Sequence, residues 1–174
     1  FYPHWKKYGN EIKKMILARK AVGVHSESAV QDEGDYNGYR ATVTGANGTL
    51  ILELGNRKSS HAGYTEVASG AGYSMWVKPN SPLTPELTIT PKSTTYRTSS
   101  MSVTMRALGK LGESTTIYYT VDGSDPMSSN TKRTYTGAIT IEGTMTLKAY
   151  AESIYGKSAV QTHVDTYDPP QELP

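Results

Sequence analysis

Three prolines fall within the seven residues Pro79-Asn80-Ser81-Pro82-Leu83-Thr84-Pro85. A proline fixes φ and has no backbone N–H, so such a run can neither continue a helix nor sit inside a sheet; it holds the chain extended. A chain of 174 residues interrupted there has to build one core before the run and another after it. The expected division is a helix within residues 1–22, a small domain over 23–79, a linker at 80–85, a second domain over 86–166 and a tail at 167–174.

The first part carries one helical signal. Tyr8, Ile12, Met15 and Ile16 recur at helical spacing, with Lys13, Lys14 and Lys20 elsewhere on the wheel. Asn10 is a possible cap and Gly23 a stop. Strand signals follow: Tyr39–Val43 and Leu50–Leu54 flank Asn47-Gly48, a dipeptide suited to the positive φ angles of a tight hairpin turn. Tyr64–Ala68 and Tyr73–Val77 complete a small antiparallel sheet, in which Trp76 is expected in the core.

Beyond the prolines every signal is β. Met101–Ala107 and Met145–Ala151 alternate apolar and polar, and Ile117, Tyr119 and Val121 share a face before the Asp122-Gly123 turn. With Leu87–Thr90, Ala138–Ile141 and Ala159–Val164 the spacing predicts about seven short strands in an immunoglobulin-like β-sandwich. The fold class expected is mainly β: one amphipathic helix, a small antiparallel domain, then the sandwich.

Composition removes several classes of function. Cysteine is absent, which excludes disulfides, thiolate-ligated zinc and thiol catalysis. The net charge of +2 is not gathered into a basic stripe, so nucleic acid is not an expected partner. No apolar stretch approaches the roughly 18 residues of a membrane span. Pro3, Lys6 and Lys7 interrupt any leader-like run in Phe1–Lys20, and the chain reads as a mature or excised piece.

Candidate chemistry is sparse. His4, His25, His61 and His163 show no paired spacing, and Asp122 and Asp125 flank a turn that explains them. Asp32-Glu33-Gly34-Asp35 lacks a calcium-loop spacing and reads as a solvated acidic loop. Asn47-Gly48-Thr49 is formally a glycosylation sequon but reads as the hairpin turn. No catalytic residue, metal ligand or cofactor is expected.

Two resemblances add a function to this architecture. The run Ile117-Tyr118-Tyr119-Thr120-Val121-Asp122-Gly123-Ser124-Asp125-Pro126, with Tyr135–Ile139, Leu147–Ala151 and Gly156-Lys157-Ser158, resembles the chitobiase/β-hexosaminidase C-terminal-type domain, also described as fibronectin-III-associated. Such domains are accessories of carbohydrate-active enzymes. The segment from Ile12 to Ser26, with Gly45–Leu50 and Gly70–Val77, resembles the end of a glycoside hydrolase family 13 α-amylase: the last barrel helix, then the strands of the β domain that follows. That resemblance implies a secreted, periplasmic or cell-surface bacterial protein whose catalytic barrel, with its paired carboxylates, lies ahead of this chain. Trp5 would then pack against the barrel, and the helix's apolar stripe, parted from it, would promote a weak homodimer or fold back onto its own domain.

A structural tail and a starch-binding module both remain open. Aromatic rings stack on the apolar faces of pyranoses while polar neighbours bond the hydroxyls. Strand alternation sends Tyr118 and Tyr150 outward, and Tyr155 lies near a turn. These three are the candidate carbohydrate contacts, with starch or another α-glucan as the candidate ligand.

Overall fold

The computed structural model describes residues 2–56 and 59–171, and for residues 2–7 the backbone only. The expected packing of Trp5 therefore lies outside the described side chains. The chain forms two compact units, residues 1–83 with 110–112 and residues 84–109 with 113–174.

The first unit opens with α1 (Tyr2–Ala21), which starts before the predicted Tyr8 because Pro3 is tolerated in a first turn. Its end is built as expected around Gly23, at φ 68°. The Gly23 N–H donates to Lys20 O at 3.1 Å and the Val24 N–H to Arg19 O at 3.0 Å, the two closing bonds of a Schellman motif. Ala18 and Val22 are buried, whereas Tyr8, Ile12 and Ile16 stay exposed, Ile16 by 58%.

Five antiparallel strands follow: β1 (Ala29–Asp35), β2 (Gly38–Gly45), β3 (Gly48–Gly55), β4 (Thr65–Gly70) and β5 (Tyr73–Pro79), in the order β1-β2-β3-β5-β4. Helix α1 lies against β3, β4 and β5, and Leu50, Ala68, Met75 and Val77 are among the buried residues of this sheet. On the opposite parity, Arg40, Glu53 and Ser74 face one another in a single cross-strand row.

Two local expectations need correction. The β2–β3 hairpin forms, but Gly45 pairs with Gly48, so the connecting residues are Ala46 and Asn47. Among the described residues no non-glycine has positive φ. The turn is instead fitted to the helix end: the Asn47 N–H donates to Val22 O at 3.0 Å and the Ala46 N–H to Gly23 O at 3.3 Å. A Cβ on Gly45 would run into Val22 O. Second, Asp32–Asp35 is strand rather than loop: it forms the exposed edge strand β1, paired along its length with β2.

The second unit packs two sheets over one core. One is the three-stranded sheet β11 (Ile139–Ile141), β8 (Met101–Leu108) and β6 (Glu86–Thr90). The other runs β10 (Arg133–Thr134), β9 (Thr116–Thr120), β12 (Met145–Ser153), β14 (Gln161–Tyr167) and β7 (Thr94–Tyr96), with β13 (Gly156–Lys157) also pairing β12. Among the described residues every pairing between these strands is antiparallel except β14 with β7, and an isolated parallel bridge joins Asp122 to Thr146. Leu87, Val103, Met105 and Ile141 from the first sheet meet Tyr96, Ile117, Leu147, Ala149 and Ala151 from the second. The mainly β class and its single helix are as the sequence predicts. Within the sandwich, β14 turns His163 and Asp165 inward. They are 3% and 0% exposed, with His163 Nε2 2.8 Å from Asp165 Oδ2.

Candidate functional site

The predicted tyrosine contacts separate on inspection. Tyr118 on β9 and Tyr150 on β12 are direct cross-strand partners. Their rings lie 5.4 Å apart at 30°. Lys132 Nζ stands 5.1 Å from the Tyr118 centroid and Lys157 Nζ 5.5 Å from that of Tyr150. Alternation holds for Tyr150 in that Leu147, Ala149 and Ala151 point to the core. Its own ring, however, is only 1% exposed, and this burial raises its hydroxyl pKa, aided by the charge on Glu152. Tyr150 thus lies on the outer face, as alternation predicts, but is not exposed there: a strand's outer face is not solvent when a stacked neighbour and a lysine stem cover it. Tyr118 stays half-buried, and Tyr155 sits half-buried in the turn between β12 and β13.

The Asp122-Gly123-Ser124-Asp125 motif closes on itself. Asp122 accepts hydrogen bonds from the Ser124 N–H at 3.0 Å, from the Ser124 hydroxyl and from the Thr131 hydroxyl at 2.6 Å. The Ser124 and Thr131 hydroxyls hold its pKa down to about 2. The Met127 N–H donates to Asp125 Oδ1 at 2.8 Å. These are loop-building bonds, as turn chemistry requires.

A denser polar centre, which the sequence reading missed, lies in the first unit. Glu53 is 0% exposed. Its Oε1 accepts from Arg40 Nε at 2.9 Å, Arg40 Nη2 at 2.8 Å and the Ser59 hydroxyl at 2.7 Å. Its Oε2 accepts from the Ser74 hydroxyl at 3.1 Å, and His61 Nε2 lies 3.3 Å from Oε1. Burial pushes the carboxyl upward, but the bonds from Ser59, Arg40 and Ser74 prevail and hold it at about 2. Arg40 also reaches Glu33 at 2.9 Å. Trp76, expected in the core, is half-buried at this centre: its Nε1–H donates to Ser74 Oγ at 3.1 Å, and His61 packs edge-on 5.4 Å from its ring. The available signal was parity, since Glu53, Ser74 and Trp76 fall on the face opposite Leu50 and Val77. Nothing in the spacing of His61 or Ser59 announced that they would close over it.

Comparison with known proteins supports both resemblances. Residues 5–70 match the family model described as glucan 1,4-alpha-maltotetraohydrolase, domain C. Residues 108–164 match the model Fn3 associated. Two curated relatives are both glucan 1,4-alpha-maltotetraohydrolases. That of Stutzerimonas stutzeri is 39% identical over 37% of this chain and 11% of its own length. That of Roseateles saccharophilus is 38% identical over the same shares. The match thus spans about a tenth of those enzymes. A solved extracellular domain of a hybrid two-component system from B. thetaiotaomicron overlaps 87% of this chain and 27% of its own at 13% identity, with a TM-score of 0.33. The chain thus carries a segment similar to maltotetraohydrolase domain C and, after it, one similar to Fn3-associated domains.

Proposed function

We propose that this chain is the non-catalytic accessory region of a secreted bacterial α-glucan hydrolase. The first unit is the β domain that buttresses the catalytic barrel, and the sandwich is a spacer. The match of residues 5–70 to a maltotetraohydrolase domain C carries this reading. The electrostatics agree with it. Glycosidic cleavage needs a carboxylic acid with a raised pKa facing a second carboxylate, whereas Glu53 and Asp122 are both displaced downward by bonds within their own domains. The exposed Tyr8, Ile12 and Ile16 of α1 provide the apolar contact to the barrel.

A second reading, a carbohydrate-binding sandwich contacting glycan through Tyr118, Tyr150 and Tyr155, draws on the half-exposed Tyr118 ring under Lys132. The buried Tyr150 favours the spacer.

The test incubates the full chain with soluble starch and counts new reducing ends; none above the buffer blank are expected. Steady release of sugar would overturn the reading. Mobility through amylopectin gels then separates the two roles of the sandwich. For a spacer, Tyr118→Ala migrates like the unaltered chain, while a loss of retardation in that variant favours binding there.

A further inference from the structure

The first unit holds a groove that none of the contacts above explains. It encloses about 410 Å³ and is lined by Ser59, Ser60, Glu66, Ser69, Gly70, Tyr73, Ser74 and Trp76, a volume within the range of small-ligand sites. The register places it on the β4–β5 hairpin. Trp76 faces Glu66 and Ser74 faces Ser69 on one face of the hairpin, while Tyr73, of the other parity at the first position of β5 and opposite Gly70, lines the groove at its end.

Both rings are held in place before any ligand arrives. The buried Glu53 carboxylate binds the Ser74 hydroxyl, and that hydroxyl accepts from the Trp76 indole. Across the hairpin, Tyr73 lies over Gly70 so closely that a Cβ there would enter its ring. Aromatic surface fixed in advance loses little side-chain entropy on binding. Among the described lining residues, Glu66 is the one ionisable group besides Tyr73, and its carboxylate disfavours anions.

We propose that this groove is a glycan subsite, taking a neutral pyranose of an α-glucan chain against Trp76 and Tyr73, with the hydroxyls of Ser60 and Ser69 and the Glu66 carboxylate bonding the sugar hydroxyls. The choice of α-glucan rests on the accessory-region reading above. The subsite belongs to the β domain and is separate from the tyrosines of the sandwich.

The test is a maltoheptaose titration of the isotope-labelled full chain, followed through the Trp76 indole N–H resonance, which Trp5→Phe assigns. Saturable movement of that resonance and of the Ser69 and Gly70 amides is expected, with none for an oligogalacturonate of similar length. Trp76→Ala removes the platform but also disturbs the Glu53 centre, so the deciding variant is Ser69→Arg. It fills the groove from an exposed strand position and weakens binding by about tenfold or more, with the other resonances unchanged. A still Trp76 signal at saturating maltoheptaose, or undiminished affinity in Ser69→Arg, overturns the proposal. Either failure leaves the reducing-end result untouched, so the subsite and the accessory reading fall separately.

Discussion

Removing a carboxylate from water costs several kcal/mol unless charge and hydrogen bonds replace the lost hydration. Glu53 replaces it with four hydrogen bonds from Arg40, Ser59 and Ser74. Because the folded pKa sits near 2, below the ordinary glutamate value of 4.5, the unfolded chain binds the extra proton as pH falls through that window. The stabilisation is present above about pH 4.5 and is lost between there and about pH 2, amounting to about 3 kcal/mol. Urea titrations at pH 7 and pH 3 should show a lower midpoint at pH 3, and Glu53→Gln should flatten that dependence. His163 and Asp165 pose the opposite case, since their 2.8 Å contact lies outside hydrogen-bond alignment. His163→Ala takes the imidazole from beside the buried Asp165 and should cost about 1–3 kcal/mol. Adding Asp165→Leu to that variant should recover part of the loss, read by circular dichroism in urea.

At the level of elements, the longer strands of both domains were readable because alternation and turn residues act locally, whereas the exposed edge strand β1 and the short β7, β10 and β13 carry no such pattern. The β2–β3 hairpin shows where local reasoning stops. Asn47-Gly48 named the hairpin correctly, yet the turn sits one step earlier because its N–H groups complete the helix end at Val22 and Gly23. That is a tertiary fit no dipeptide preference encodes. Gly45→Ala should therefore destabilise the first unit by about 1–3 kcal/mol, while Gly137→Ala, which meets nothing within 4 Å, should change stability by less than about 0.5 kcal/mol. Denaturant midpoints decide both. The same limit explains Tyr150: its face was read correctly, but burial depends on Tyr118 and Lys157. Helix α1 keeps Ile12 and Ile16 exposed. A sedimentation coefficient that rises with concentration, and ceases to in Ile16→Glu, is the outcome expected of the self-association read from the sequence.

For the molecule as a whole, the order of the motifs carried more information than any single one, since the two family models match in that order along the chain. The candidate site was less legible. Its aromatic walls are visible as Tyr73 and Trp76, but the buried carboxylate that fixes the indole is an ordinary strand glutamate until the sheet is assembled. The two units also differ in a measurable way: both tryptophans, Trp5 and Trp76, belong to the first. Indole fluorescence therefore reports that unit's unfolding alone. On acidification its transition should precede part of the far-ultraviolet circular dichroism change, to which the sandwich contributes.

The parallel pairing of β7 with β14 joins residues 94–96 to 165–167. On a ribosome that pairing has to wait: β7 emerges early and stands without its partner until the last strand of the sandwich has been translated. The five-stranded sheet, by contrast, has its final strand by Pro79. Synthesis thus delivers the five-stranded sheet first and the sandwich last, residues 110–112 joining the first unit in between. The exposed edge that β14 will cover is the stretch of nascent chain most in need of a chaperone.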